Sequence, residues 1–338
     1  MKLAKSTKAS GDLSAETTAE PAATGALAWM QLVRLPNVFT VLADVSAAFL
    51  LVAGSPEPTG RLAVALAAGV CLYWAGMILN DVFDVEKDRA ERSSRPLASG
   101  AISLRSASLA GWLLLLIGTL LGSASGFVPN AEGTVTVVPI GVSIALALMI
   151  LGYNGPFKQT PLAPAAMGLC RSLSFLLGAT PVLSVAVGEP VIPRYLLGLA
   201  FAIGVYVMGI TLLARNEATG NRTINLRTGF VVLLVGALLL AFAPGLGRPA
   251  DRADWVVQPG GQFVFLIWLI VLPVAVRAFR VQFDPDPVAI GHTIRAGVLT
   301  IIPLSAAFAF LGAGQSAGLA VFALIIPAIL LALRLRVT

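Results

Sequence analysis

Apolar runs long enough to cross a bilayer recur along almost the whole chain, and nothing constrains its fold more. They fall near 35–53, 62–80, 104–127, 135–152, 165–187, 194–214, 228–246, 262–280, 292–312 and 315–334. A helix rising 1.5 Å per residue needs about 20 mostly apolar residues to span the hydrocarbon core. Only 12% of the 338 residues are charged and the mean hydropathy is +0.88, which places the chain outside the soluble globular range. Stretches such as "WLLLLIGTLLG" and "LIIPAILLALRL" are apolar on all sides and lack the alternation of a membrane β-barrel strand. The expectation is an all-α, polytopic transmembrane helical bundle of ten spans. Because only "GAGQSAG" separates the last two runs, nine spans with a broken final segment is the alternative.

Residues 1–26 are polar, rich in Ala, Thr and Ser, and have no apolar core, so they read as a disordered cytoplasmic tail ahead of a membrane domain over 27–338. "LAWMQLVRLPN" looks like an interfacial lead-in, with Trp29 at headgroup level. Basic residues sort the loops. Those after even-numbered spans carry Lys87, Arg89, Arg92, Arg95, Lys158, Arg215, Arg222, Arg227, Arg277 and Arg280, against only Arg61, Arg194, Arg248 and Arg252 on the other side. Basic loops mark the cytoplasmic face of a cell membrane. The net charge of +6 is thus a matter of topology and asks for no nucleic-acid partner. Cys71 and Cys170 lie in apolar spans without CxxC spacing, so neither a disulfide framework nor a zinc site is expected.

One loop departs from this polar background. "LNDVFDVEKDRAERSSRPLASG" (79–100) places Asp81, Asp84, Glu86, Asp88 and Glu91 within eleven residues, in a chain with 17 acids. If the second span stays helical past Leu79, Asn80, Asp84 and Asp88 share one face and Asp81 adjoins it. Like charges so placed repel, unless a hard cation takes them: Mg2+ binds one or two carboxylates and completes its shell with water and phosphate. A metal–phosphate site and a solvated juxtamembrane loop with compensating charges fit the charge run equally well.

The order of residues tips that balance. "NDVFDVEKD" matches an NDxxDxxxD signature, "RSSRPLASG" matches the RPxxxG tail that follows it, and "YNGPFKQTP" carries Tyr153 and Lys158 after the fourth span. Arg34 and Asn37 of "RLPN" form a polar pair at the start of the first. Together, over roughly residues 30–312, this closely resembles the UbiA superfamily of intramembrane prenyltransferases. "MGLCRSLSFLLGA" and "RLPNVFTVLADVSA" look more like its EboC-type branch. The resemblance implies a nine-helix core with a tenth span added. It also implies a polyprenyl diphosphate donor, a small-molecule acceptor, and Mg2+ held by Asn80, Asp81, Asp84 and Asp88. Arg95 and Lys158 are then hydrogen-bond donors to the phosphate oxygens, Arg34, Asn37, Arg92, Glu217 and Arg222 further substrate contacts, and Tyr153 a cation-stabilising aromatic. The family's second motif, DxxxxxxDxxxD, is eroded: Ile210, Glu217 and Asn221 stand at the three aspartate positions, so Glu217 is its one remaining acid. The alternative function is a non-catalytic lipid-diphosphate-binding or transport protein on the same scaffold.

Other polar residues carry weaker expectations. Tyr73 and Tyr206 read as interfacial belt residues. His292, the sole histidine, reads as solvated. Asp44 lies within the first span, where an ionisable group is functional by default; it pairs with Arg34 or another buried base, or lines the central cavity. Arg171 faces either phosphate or lipid headgroups. Asp84 and Asp88, at a helix end, are expected to be exposed.

Overall fold

The computed structural model describes residues 25–183, 191–215 and 222–335. Residues 1–24 of the expected tail lie outside them. A short helix α1 (Ala26–Leu32) precedes α2 (Val38–Ala53), α3 (Thr59–Phe83), α4 (Val85–Glu91), α5 (Leu104–Ala124), α6 (Val138–Asn154) and α7 (Ala163–Ala179). There follow α8 (Arg194–Ala214), α9 (Arg222–Phe242), α10 (Gly261–Arg280), α11 (Pro287–Leu299), α12 (Ile301–Ala323) and α13 (Ile325–Leu335). No strand occurs among the described residues.

Burial tells which helices are central. In α2 67% of the apolar window is buried, against 28% in α5, whose Leu109, Trp112, Leu116 and Leu120 face outward. An outward face of large apolar side chains is what lipid requires, so α5 lies at the periphery and α2 at the centre. Small residues allow that central position. Ala43, Ala47 and Ala48 of α2 are fully buried. A Cβ added at Gly178 of α7 would sit 2.2 Å from the Val45 carbonyl oxygen, and one at Gly312 of α12 would sit 2.5 Å from Leu51 Cα. Without a hydrophobic force between helices in lipid, such close backbone approach is the main source of association. Gly178→Ala is therefore expected to cost about 1–3 kcal/mol of overpacking. Gly141→Ala, where nothing lies within 4 Å, should be neutral or stabilising. Thermal inactivation of both variants in detergent checks this.

Eight helical segments among the described residues are long and apolar enough to cross a bilayer, and α6 is a shorter apolar helix. The last of the eight, 287–335, does not run straight. Gly314 has φ +81, and a Cβ at Gly318 would lie 3.0 Å from Phe310 Cβ. Residues eight apart in a continuous helix are about 12 Å apart along its axis, so the chain doubles back at Gly314. The returning arm ends with the Leu335 carbonyl accepting from Gln31 Nε2 at 3.4 Å, beside α1. Counting both arms gives ten apolar passes, as expected.

Two polar residues are placed differently from the sequence expectation. Arg61, counted among the loop charges, is buried at the start of α3, donating to the Val128 and Pro181 carbonyls at 2.8 Å each and to the Thr134 carbonyl. Its fork ties the start of α3 to the loop before α6 and to the turn after α7, which satisfies a buried guanidinium without an acid. Tyr206 is no belt residue. It is fully buried in α8 and donates to the Gly297 carbonyl at 3.1 Å, linking α8 to α11.

Candidate active site

The polar end of α3 is almost continuous with α4. Asp84 stands between them at φ −93, ψ 0, and the hydrogen-bond ladder runs through it: Asp84 N–H to Asn80 O at 3.2 Å, Asp88 N–H to Asp84 O at 2.8 Å. The four polar residues therefore share a face, as their spacing predicts. They are less accessible than expected: Asp81 and Asp88 are each only 5% exposed and Asp84 is half-buried. The reason is a set of cations folded over them. Arg95, from the loop after α4, reaches Asp88 Oδ2 at 2.7 Å and Asp81 Oδ1 at 3.5 Å. Arg34 Nη2 lies 3.6 Å from the same Asp81 oxygen. Lys158 Nζ pairs with Asp84 Oδ2 and donates to Asn80 Oδ1 at 2.8 Å, while Asn80 Nδ2 donates to Asp81 Oδ1 at 3.2 Å. Burial pushes the Lys158 ammonium down from its ordinary pKa, and the hydrogen bond and charge of Asp84 push it back.

Three carboxylates thus face three cations, and the cluster is balanced by itself. Arg34 is held there at a cost. It alone among the described non-glycine residues has a positive φ, 48 with ψ 55. That conformation costs an L-residue about 1–2 kcal/mol, and such strain gathers at functional sites. Its other contacts are Met77 Sδ at 3.3 Å and the Tyr73 hydroxyl, which donates to the Arg34 carbonyl at 3.5 Å. Arg92, by contrast, is exposed at the end of α4.

Below this polar rim lies a cavity of about 390 Å³. Arg34, Asn37, Tyr73 and Tyr153 line its polar side; Leu72, Leu146, Ile150, Met167, Val207, Ile210 and Val298 line the rest. Tyr73, expected in the interfacial belt, faces this cavity instead. A mostly apolar chamber closed by an ionic rim suits a molecule with a greasy body and an anionic head.

Among the described residues, no three acidic, thiol or imidazole side chains converge as a ready metal site. The donor set nevertheless fits Mg2+. Asn80, Asp81, Asp84 and Asp88 offer hard oxygen ligands on one face, and Mg2+ needs only one or two carboxylates when phosphate and water complete its shell.

Deeper in the bundle, Asp44 is wholly buried and pairs with Arg171 Nε; its Oδ1 accepts from Ser305 Oγ at 2.7 Å. Arg171 Nη2 also donates to the Thr40 carbonyl at 2.6 Å. Of the alternatives for Asp44, the buried base is therefore the partner, and it is Arg171, not Arg34. Arg171 lines the cavity, and its Nε and Nη2 are directed at Asp44 and the Thr40 carbonyl of α2. At the eroded second motif, Ile210 is buried, lines the cavity and packs on Gly297. Arg215 donates to the Thr160 carbonyl at 2.6 Å. Glu217 and Asn221 lie outside the described residues, and Arg222 is described only as the first residue of α9. His292 is exposed on α11, as expected.

Sequence reasoning passed over Asn154. It is 4% exposed, lines the cavity and donates from Nδ2 to the Gly76 carbonyl at 3.2 Å. The signal was present: an amide directly after Tyr153, at the end of an apolar run, has no reason to be buried unless it is bonded.

Comparison with known proteins agrees with this architecture. A family model described as the UbiA prenyltransferase family matches residues 39–287. The chain is 32% identical over 136 residues to a digeranylgeranylglyceryl phosphate synthase of Ignicoccus hospitalis, a match covering 40% of each chain. It is 28% identical over 215 residues to the synthase of that name from Methanopyrus kandleri, covering 61% of this chain and 72% of that one. Among solved structures, a UbiA homolog from Archaeoglobus fulgidus bound to GPP and Mg2+ superposes with a TM-score of 0.54 at 16% identity, over 88% of this chain and 99% of that one.

Proposed function

The chain belongs to the UbiA prenyltransferase family, and from that premise we propose that it transfers a prenyl group from a polyprenyl diphosphate to a small-molecule acceptor inside the membrane, with Mg2+ as cofactor. The observation that carries the reading is the ionic rim of Asp81, Asp84, Asp88, Arg34, Arg95 and Lys158, which shares Arg34 with the lining of a mostly apolar cavity. The names of the archaeal relatives and the ligands of the A. fulgidus homolog support it. The basic loops beside this rim support an orientation with the rim on the cytoplasmic face of the cell membrane.

The residues divide the work by charge. Leaving diphosphate gains negative charge as the allylic C–O bond breaks, and only stabilisation that grows in the transition state speeds that step. Arg95 and Arg34 present guanidinium forks, and Lys158 presents a point charge, to the phosphate oxygens. Asn80, Asp81, Asp84 and Asp88 would hold Mg2+, which supplies Lewis-acid neutralisation of the diphosphate. Within the rim those same carboxylates hold the cations in place. The prenyl tail lies along Leu72, Leu146 and Ile150, and the apolar chamber keeps water from the allylic cation. Tyr153 offers the cation a ring face.

A second reading keeps one specific observation: Ile210 fills the position of an aspartate in the second motif with a buried aliphatic side chain. A protein of this kind binds prenyl diphosphate without transferring it. Replacement of that motif by fixed guanidinium charge predicts a single-site Mg2+ dependence, and Arg222→Ala weakening donor binding more than Glu217→Gln. Equal damage from Glu217→Gln and Asp84→Asn contradicts it. The transferase reading itself is tested by mass spectrometry of lipids and metabolites from cells with and without the protein. A prenylated species present only with the active protein is expected; its absence across all extracts, with donor supplied, counts against transfer.

A further inference from the structure

The Asn154 amide is fixed at one end and open at the other. Its Nδ2 donates to the Gly76 carbonyl, which sets the orientation of the group, and its Oδ1 accepts from no protein donor despite being buried. A buried amide oxygen without a donor costs about 1–3 kcal/mol, so its persistence on a cavity wall asks for a ligand that satisfies it. Its depth is telling. Gly76 lies one helical turn, about 5.4 Å, below Asn80, and Asn80 is held by Lys158 at the rim. Asn154 therefore stands one turn beneath the diphosphate-facing groups, at the level where the reacting carbon of a donor enters the apolar chamber.

We propose that Asn154 is an acceptor-binding residue: its Oδ1 receives the O–H of a neutral, hydroxyl-bearing acceptor and holds it beside the donor's allylic carbon. This rests on the prenyltransferase reading and deepens it. The neutral class follows from charge. Among the described residues, each cation lining the cavity is already balanced, Arg34 by Asp81 and Arg171 by Asp44. Among the described residues no further cation lines the cavity, so none is spare for an anionic acceptor.

The test uses the full chain in detergent with geranylgeranyl thiolodiphosphate, an unreactive donor analogue, and Mg2+. Affinities are then measured for 1-dodecanol and for its methyl ether, which keeps the oxygen but carries a methyl group in place of the hydroxyl hydrogen. The wild-type protein is expected to prefer the alcohol about tenfold, the worth of one buried hydrogen bond. Asn154→Leu should erase that preference while leaving affinity for the donor analogue within about twofold; Asn154→Ala provides the same readout should the leucine variant fail to fold. Equal affinity of alcohol and ether for the wild type, as when Oδ1 holds only a buried water, overturns the proposal. So does a preference that survives both substitutions. Failure of the donor analogue to bind would instead count against the prenyltransferase reading, and the alcohol–ether comparison would still report on Asn154.

Discussion

Asp84→Asn is expected to lower prenyl transfer at least about a hundredfold while leaving the protein folded. The half-buried Asp84 carboxylate meets only Lys158 among the rim cations, so its neutralisation should cost no more than about 1 kcal/mol of stability. On the proposed reading its oxygens face the incoming diphosphate and its metal, and losing a group of that kind costs about 3 kcal/mol at the transition state, or roughly a hundredfold in rate. Asp88→Asn should differ. Asp88 is buried and is held by Arg95 at 2.7 Å. Losing that charge leaves Arg95 only the longer contact to Asp81 at 3.5 Å, so stability and activity should fall together. Rates and thermal midpoints measured on the same preparations separate the two variants. Near-normal turnover for Asp84→Asn rules out its role.

Arg171→Met should be among the most destabilising single changes in the bundle, costing about 3–5 kcal/mol, because it strands Asp44 as a lone charge in the interior. The Asp44–Arg171–Ser305 contacts join α2, α7 and α12, so their loss loosens the centre of the fold. The pair itself contributes less than this, since a buried ion pair pays heavily for desolvation. Arg171→Met combined with Asp44→Leu is therefore expected to recover most of the loss. A double-mutant cycle on detergent unfolding measures the coupling, and additive losses contradict a direct pair.

Helical passes were legible in the sequence because each is long and apolar; even the ambiguous "GAGQSAG" marked the turn made at Gly314, whose φ of +81 suits glycine. The acid face of Asn80, Asp81, Asp84 and Asp88 was legible because helical periodicity alone brings the four together. Their partners were not: Lys158 meets Asp84 across 74 residues, and Arg171 sits 127 residues beyond Asp44. Only packing decides such pairs. The same gap explains why Tyr206 and Tyr73 were misplaced. A tyrosine near a span end reads as a belt residue until the neighbouring helix is known to cover it. Arg61 was counted among the loop charges because its three partners are backbone carbonyls, which carry no residue signature.

The most direct test of the central claim measures donor affinity and diphosphate release on one preparation of the full chain, with labelled geranylgeranyl diphosphate, candidate hydroxyl-bearing acceptors, and Mg2+ or a chelator. Prenyl transfer at the Asp81–Asp84–Asp88 rim predicts Mg2+-dependent donor binding followed by release of diphosphate into solution and of label into a prenylated product, with release abolished in Asp84→Asn. Tight, Mg2+-dependent binding with no release from the wild type contradicts the account and leaves a protein that holds prenyl diphosphates without transferring them.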